Sequence, residues 1–129
     1  MSHVVYDAGA LLAAAKNDRT FIVQHDEFLA ADIRPIVPAG VLAQCWDTRP
    51  KAANLHRVLR PCLVLPLNET TAKAAALLCQ SNGTSDVIDA SVVLASVTHD
   101  DALILTDDLD DIRALAASAN RKRIRVERP

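Results

Sequence analysis

The chain has 129 residues, a formal net charge of −2, half of its residues hydrophobic and only 3% aromatic. That length makes one domain, residues 1–129, long enough to bury about two-thirds of its unfolded surface without help from a disulfide or a metal. The apolar fraction excludes a disordered chain, and the near-neutral charge excludes a nucleic-acid binder that works by bulk positive charge.

His3–Tyr6 is a short apolar run of the kind a buried strand shows, and it ends at Asp7, which can cap a helix over Ala8–Lys16. A second helix is expected from Asp18 to Ala31, with Ile22, Phe28 and Leu29 on its inner face. Ile33–Pro38 is β-branched and bounded by prolines, so it reads as a strand, followed by a helix over Ala39–Trp46. Asp47–Pro50 is a polar break, and Lys51–Leu59 is helical with Leu55, Val58 and Leu59 on one side. Cys62–Leu65 is the third strand. The next helix starts at Asn68 or Thr70 and stops at Asn82-Gly83, a good C-terminal signal. Ser85–Val97 is a strongly apolar helix, Ala102–Leu105 a strand, Asp108–Ser118 a helix and Ile124–Val126 a last strand in a basic frame.

Strands alternating with helices predict an α/β fold: a three-layer α/β/α sandwich around a central, mostly parallel sheet of about five strands. Cys45, Cys62 and Cys79 form no C-x-x-C pair, which predicts free thiols and a reducing, cytoplasmic setting. No signal peptide and no run of 18 apolar residues is expected to direct the chain to a membrane.

The acidic residues are lopsided, with 13 Asp against 3 Glu, although Asp is the poorer helix former. Ligands of open parallel sheets bind at the carboxyl ends of strands, near the point where strand order reverses. Two predicted strands run straight into aspartates there, Tyr6-Asp7 and Leu105-Thr106-Asp107-Asp108. Asp86 and Asp89, three apart, share one face in the first turn of the apolar helix. Asp7, Asp86 and Asp108 also stand where helix N-caps are expected. Asp89, among Val, Ile, Ala and Leu, has no such ordinary reason to be there. Asp110 and Asp111 read as first-turn surface charge, with Asp111 also a candidate to support the site, Asp100 and Asp101 as turn residues, and Asp18, Asp26 and Asp32 as solvated faces. Carboxylates converging from three segments would repel one another without a cation between them. A carboxylate-only donor set suits Mg²⁺ or Mn²⁺. With only Gly9, Gly40 and Gly83 in the chain, neither a P-loop nor a G-x-G-x-x-G is present.

Four segments together resemble one family: Val4-Val5-Tyr6-Asp7-Ala8-Gly9-Ala10-Leu11, Pro38-Ala39-Gly40-Val41-Leu42-Ala43-Gln44, Ser85-Asp86-Val87-Ile88-Asp89-Ala90, and Ile104-Leu105-Thr106-Asp107-Asp108-Leu109. In this order and at this length the chain resembles a PIN-domain ribonuclease, specifically the VapC-type toxin of a type II toxin–antitoxin pair. The resemblance implies a Mg²⁺- or Mn²⁺-dependent endoribonuclease that hydrolyses RNA. By position it assigns Asp7, Asp89 and Asp108 as catalytic acids and metal ligands, Asp86 as a further ligand, and Asp107 as a lesser candidate. The family pattern carries Glu where this chain has Gln44, which would share the pocket without supplying charge. The alternative reading is therefore a catalytically weakened PIN module that mainly binds a protein partner or RNA. The resemblance also implies a homodimer and a cognate small antitoxin that lays a helix in an apolar groove.

Ten of the 14 basic residues are Arg. One group, Arg49, Lys51, Arg57 and Arg60, surrounds the helix after Gln44 and is the candidate RNA-binding set; another, Arg121, Lys122, Arg123, Arg125 and Arg128, lies near the C-terminus. With aromatics limited to Tyr6, Phe21, Phe28 and Trp46, base stacking is not expected to be a strong theme, and recognition would rest on shape and backbone.

Overall fold

A computed structural model describes residues 2–129. The chain runs β1 (Ser2–Tyr6), α1 (Ala8–Ala15), α2 (Arg19–Ala30), β2 (Ile33–Pro38), α3 (Ala39–Cys45), a 3₁₀ turn (Pro50–Ala52), α4 (Ala53–Leu59), β3 (Leu63–Leu65), α5 (Glu69–Asn82), α6 (Val87–Val97), β4 (Leu103–Leu105), α7 (Leu109–Ser118) and β5 (Val126–Glu127). This is the order of elements the sequence predicts. The sheet is five-stranded in the order β3-β2-β1-β4-β5, and every neighbouring pair is parallel.

Strand β1 lies at the centre, with Val5 opposite Ile36 of β2 on one side and Ile104 of β4 on the other. Both faces of such a sheet are covered by crossover helices, which is why the inner parts of β1, β2 and β4 are continuous apolar runs instead of alternating. Val4, Val5, Tyr6, Ile36, Val37, Ile104 and Leu105 are all essentially inaccessible. The chain steps from β1 outward to β2 and β3, then returns to the far side of β1 for β4 and β5. Right-handed crossovers place α1–α4 over one face and α5–α7 over the other, giving an α/β/α sandwich. The reversal of strand order falls between β1 and β4, so the crevice beyond their carboxyl ends is the natural ligand position.

Several local readings are corrected. The inner face of α2 is formed by Phe21 and His25 with Phe28 partly buried, whereas Leu29 is exposed. His25 is tolerated there because its Nδ1 is hydrogen-bonded to the Tyr6 hydroxyl at 2.8 Å. Asp18 is exposed, as expected, and in addition caps α2 by accepting from the Phe21 N–H at 3.1 Å. Lys51 falls in the 3₁₀ turn, since Pro50 at its start lets the chain turn tightly before α4. The last strand is shifted to Val126–Glu127 because Ile124 belongs to the preceding turn. No helix among the described residues is long and apolar enough to cross a membrane.

Candidate metal centre

Asp7 leaves the end of β1 with its N–H still bonded to the Leu105 carbonyl at 3.0 Å, so the β1–β4 ladder itself sets its position. Its Oδ1 accepts from the Ala8 N–H at 2.8 Å, which starts α1. Its Oδ2 accepts from the Thr106 hydroxyl at 2.7 Å. Thr106, fully buried at the end of β4, also accepts from the Asp108 N–H at 2.9 Å. One hydroxyl thus ties the first acid to the loop that presents the last.

Asp108 occupies the N-cap position of α7 but makes no capping bond with its side chain, contrary to the expectation from its place in the sequence. Its amide is already held by Thr106, and the carboxylate is left free. Asp86 does cap α6: its Oδ1 accepts from the Asp89 N–H at 3.0 Å. Asp89 lies one turn in, on the buried side of that helix.

One carboxylate oxygen from each of Asp7, Asp89 and Asp108 lies within 4.8 Å of the other two. Asp7 and Asp89 are buried, and Asp108 is exposed. Burial raises the Asp7 carboxyl above the ordinary carboxylate range, with Asp108 and Asp86 adding to the rise and the Thr106 and Ala8 hydrogen bonds opposing it. The Asp89 carboxyl is pushed up to about 7, first by burial, then by the charges of Asp86 and Asp7. The cluster is therefore short of positive charge. Its donor set fits a small hard cation: all oxygen, two members buried, and a spread close to the ~4.2 Å that separates opposite ligands of Mg²⁺ at about 2.1 Å. A cluster of three aspartates, two of them buried, that could bind a metal ion is thus a property of the fold.

The other expected site residues are placed differently. Asp86 is exposed and serves as the cap of α6; it bears on Asp89 but stands outside the group of three. Gln44 is exposed on α3, and no hydrogen bond links its amide to the carboxylates. It lies one turn beyond Gly40, where α3 meets Ile88 of α6. Its neighbour Cys45 approaches the Ala8 carbonyl at 4.0 Å, which brings the end of α3 to the rim of the site. Asp107 is turned to the surface, where its carboxylate faces Arg128 at 3.8 Å. A cavity of about 310 Å³ between them is lined by Asp107, Asp108, Asp110, Asp111 and Arg128. An apolar cavity of about 280 Å³, lined by Pro38, Leu65, Leu67, Leu94 and Ala95 among others, contains none of the three carboxylates.

Thr106 is the site residue that the sequence reading passed over. Its signal was available: a hydroxyl directly after a buried strand, beside an aspartate, at the same sheet edge as Asp7. The two basic groups are also less separate from the acids than the sequence implies. Arg49 pairs with Asp47 at 2.7 Å, and Arg121, Arg125 and Arg128 stand 3.7–3.8 Å from Asp101, Glu127 and Asp107. Lys51, Arg57 and Arg60 are exposed and have no carboxylate within ion-pair distance among the described residues. The chain matches no known family model, and no curated protein matches it at a significant level.

Proposed function

We propose that the chain is a divalent-metal-dependent endoribonuclease of the PIN-domain type, acting in the cytoplasm as the toxin of a toxin–antitoxin pair. The observation that carries this reading is the convergence of Asp7, Asp89 and Asp108 at the strand-order reversal, with oxygens within 4.8 Å. Asp7, Asp89 and Asp108 would hold a Mg²⁺ or Mn²⁺ ion, which would supply an activated water and charge neutralisation at the scissile phosphate.

The chain's own residues prepare that chemistry. Asp7 is fixed by Ala8 and Thr106 before any ligand arrives, so its carboxylate needs little reorganisation. Asp89 projects from the largely buried helix α6, and its backbone N–H is held by the Asp86 carboxylate. Asp108 is the one member of the three that is exposed, and so open to incoming RNA. Lys51, Arg57 and Arg60 supply uncompensated charge for RNA phosphates. A second copy of the chain and a small antitoxin are the proposed protein partners.

The expected outcome is cleavage of a structured RNA in Mg²⁺ or Mn²⁺, lost in EDTA and reduced at least 100-fold by Asp7→Asn or Asp89→Asn. Equal cleavage by wild type and both variants would refute the assignment. The exposed, neutral Gln44 favours a second reading, in which the protein binds a partner or RNA and cleaves poorly. Gln44→Glu separates the two. A gain in Mn²⁺ affinity and cleavage marks a weakened nuclease, whereas bound but uncut RNA from both forms marks a binding module.

A further inference from the structure

Trp46 is the one tryptophan of the chain, and it follows α3 directly. It is 54% exposed, yet it is not loose. The His56 imidazole lies flat against the indole, with ring centroids 4.7 Å apart and planes 13° from parallel. His56 is held in turn: its Nε2 is 2.6 Å from the Asp47 carbonyl oxygen. The Asp47 carboxylate is forked by Arg49, with Nε at 2.9 Å and Nη2 at 2.7 Å, which fixes the backbone that carries the indole. An exposed aromatic plane is thus backed on one side and braced from below.

Two further features give this plane a partner. His56 belongs to α4, the same helix carries Arg57 and is followed directly by Arg60, and Lys51 stands just before it; all three are exposed and unpaired among the described residues. Cys45, next to Trp46, reaches the carbonyl of Ala8, the residue after Asp7. The platform therefore stands between a cationic helix and the rim of the carboxylate cluster. A flat π-surface beside unpaired cations matches one kind of ligand, a single strand whose unstacked bases and phosphates are both available. A duplex offers the phosphates but keeps its base faces covered.

We infer that Trp46, backed by His56, is a base-stacking platform that seats a nucleotide of single-stranded RNA while Lys51, Arg57 and Arg60 hold the flanking phosphates. This rests on the ribonuclease reading for the choice of RNA, and it revises the expectation that stacking plays little part.

The test uses the full chain with metal chelated, so that cleavage does not consume the probe. Because the fluorescence of the chain's one tryptophan reports on this residue alone, a 12-nucleotide single-stranded RNA should quench it saturably, and a 12-base-pair duplex of matching sequence should not. By anisotropy of labelled RNA, Trp46→Ala should weaken single-strand binding about tenfold and Trp46→Phe much less. Both variants should keep the wild-type circular dichroism, since the indole is exposed. Single-strand binding without quenching, equal affinity in Trp46→Ala, equal quenching by duplex, or no RNA binding would each overturn the proposal. Stacking with no cleavage once metal is restored would instead refute the nuclease reading and leave the platform standing. Cleavage with unchanged Trp46→Ala affinity would do the reverse.

Discussion

Thr106 shows how much of the site depends on a residue with no chemistry of its own. Its hydroxyl donates a hydrogen bond to Asp7 and its oxygen accepts from the Asp108 amide, so two acids from different elements share one reference point. Its own N–H is bonded to the Glu127 carbonyl at 2.9 Å, which anchors that point to the sheet. Thr106→Val keeps the shape and removes both bonds. It should lower stability by about 1–3 kcal/mol, because Asp7 is left short of a donor in a buried place. It should also weaken Mn²⁺ binding about 10- to 100-fold, as loss of a hydrogen bond that orients a ligand commonly does. Thr106→Ser should restore both. Calorimetric titration with Mn²⁺ and urea unfolding read the two effects separately; a valine variant with wild-type metal affinity would show that the hydroxyl only fills space. From the sequence, Asp7 and Asp108 were legible because acids at strand ends are conspicuous. Thr106 was not, because its meaning lies in a partner 99 residues away.

Among the elements, the contact that matters most is the one between α1 and the β4–α7 loop. A Cβ on Gly9 would stand 2.9 Å from the Asp107 backbone nitrogen and 2.7 Å from its carboxylate. The loop can approach α1 this closely only because Gly9 has no side chain. Gly9→Ala should push the loop outward, move Asp108 from Asp7 and cost about 1–3 kcal/mol. Cleavage should fall more than thermal stability would explain. Unchanged metal affinity in a folded Gly9→Ala protein would show that the loop adapts at no cost to the site. Elements were read well from this sequence where periodicity and caps agreed, as in β2 at Ile33–Pro38 and α5 with its Asn68 cap and Gly83 stop. They were read less well in α2, where the buried position His25 is chemically polar. Its burial follows from the Tyr6 hydroxyl across the core, a fact that no local pattern encodes.

For the whole molecule, the carboxylate cluster makes stability depend on pH in a definite direction. Asp89 has its pKa raised in the folded state, so between the ordinary carboxylate range and about pH 7 the folded chain holds a proton that the unfolded chain has released. Metal-free stability therefore falls as pH rises through that window and levels off above it; the raised Asp7 carboxyl acts in the same sense. A cation binds the ionised cluster, so its stabilising effect should be small at pH 5 and full above about pH 7.5. At 100 times its dissociation constant, one bound ion adds about 2.7 kcal/mol. Melting curves with and without Mn²⁺ at several pH values check this. A melting shift independent of pH, or none at any pH, would contradict the carboxylate cage. The charge arrangement was legible only in part. Counting residues located the acids and bases, but ion pairs such as Arg128 with Asp107 mix the two populations at the rim of the site.

The excess of aspartate has a second cause outside the carboxylate cluster. Asp32, Asp100 and Asp101, with Asn17 and Asn120, all take positive φ, between 54° and 59°. These are left-handed turns of the kind glycine usually makes, in a chain that has three glycines and uses one of them this way, at Gly83. Short polar side chains tolerate that conformation better than most, at some cost in the folded state. They also narrow what the unfolded chain can explore, so less backbone freedom is surrendered on folding than glycine would give up. The same residue type that gathers charge at one end of the sheet thus stiffens the turns that space the helices around it.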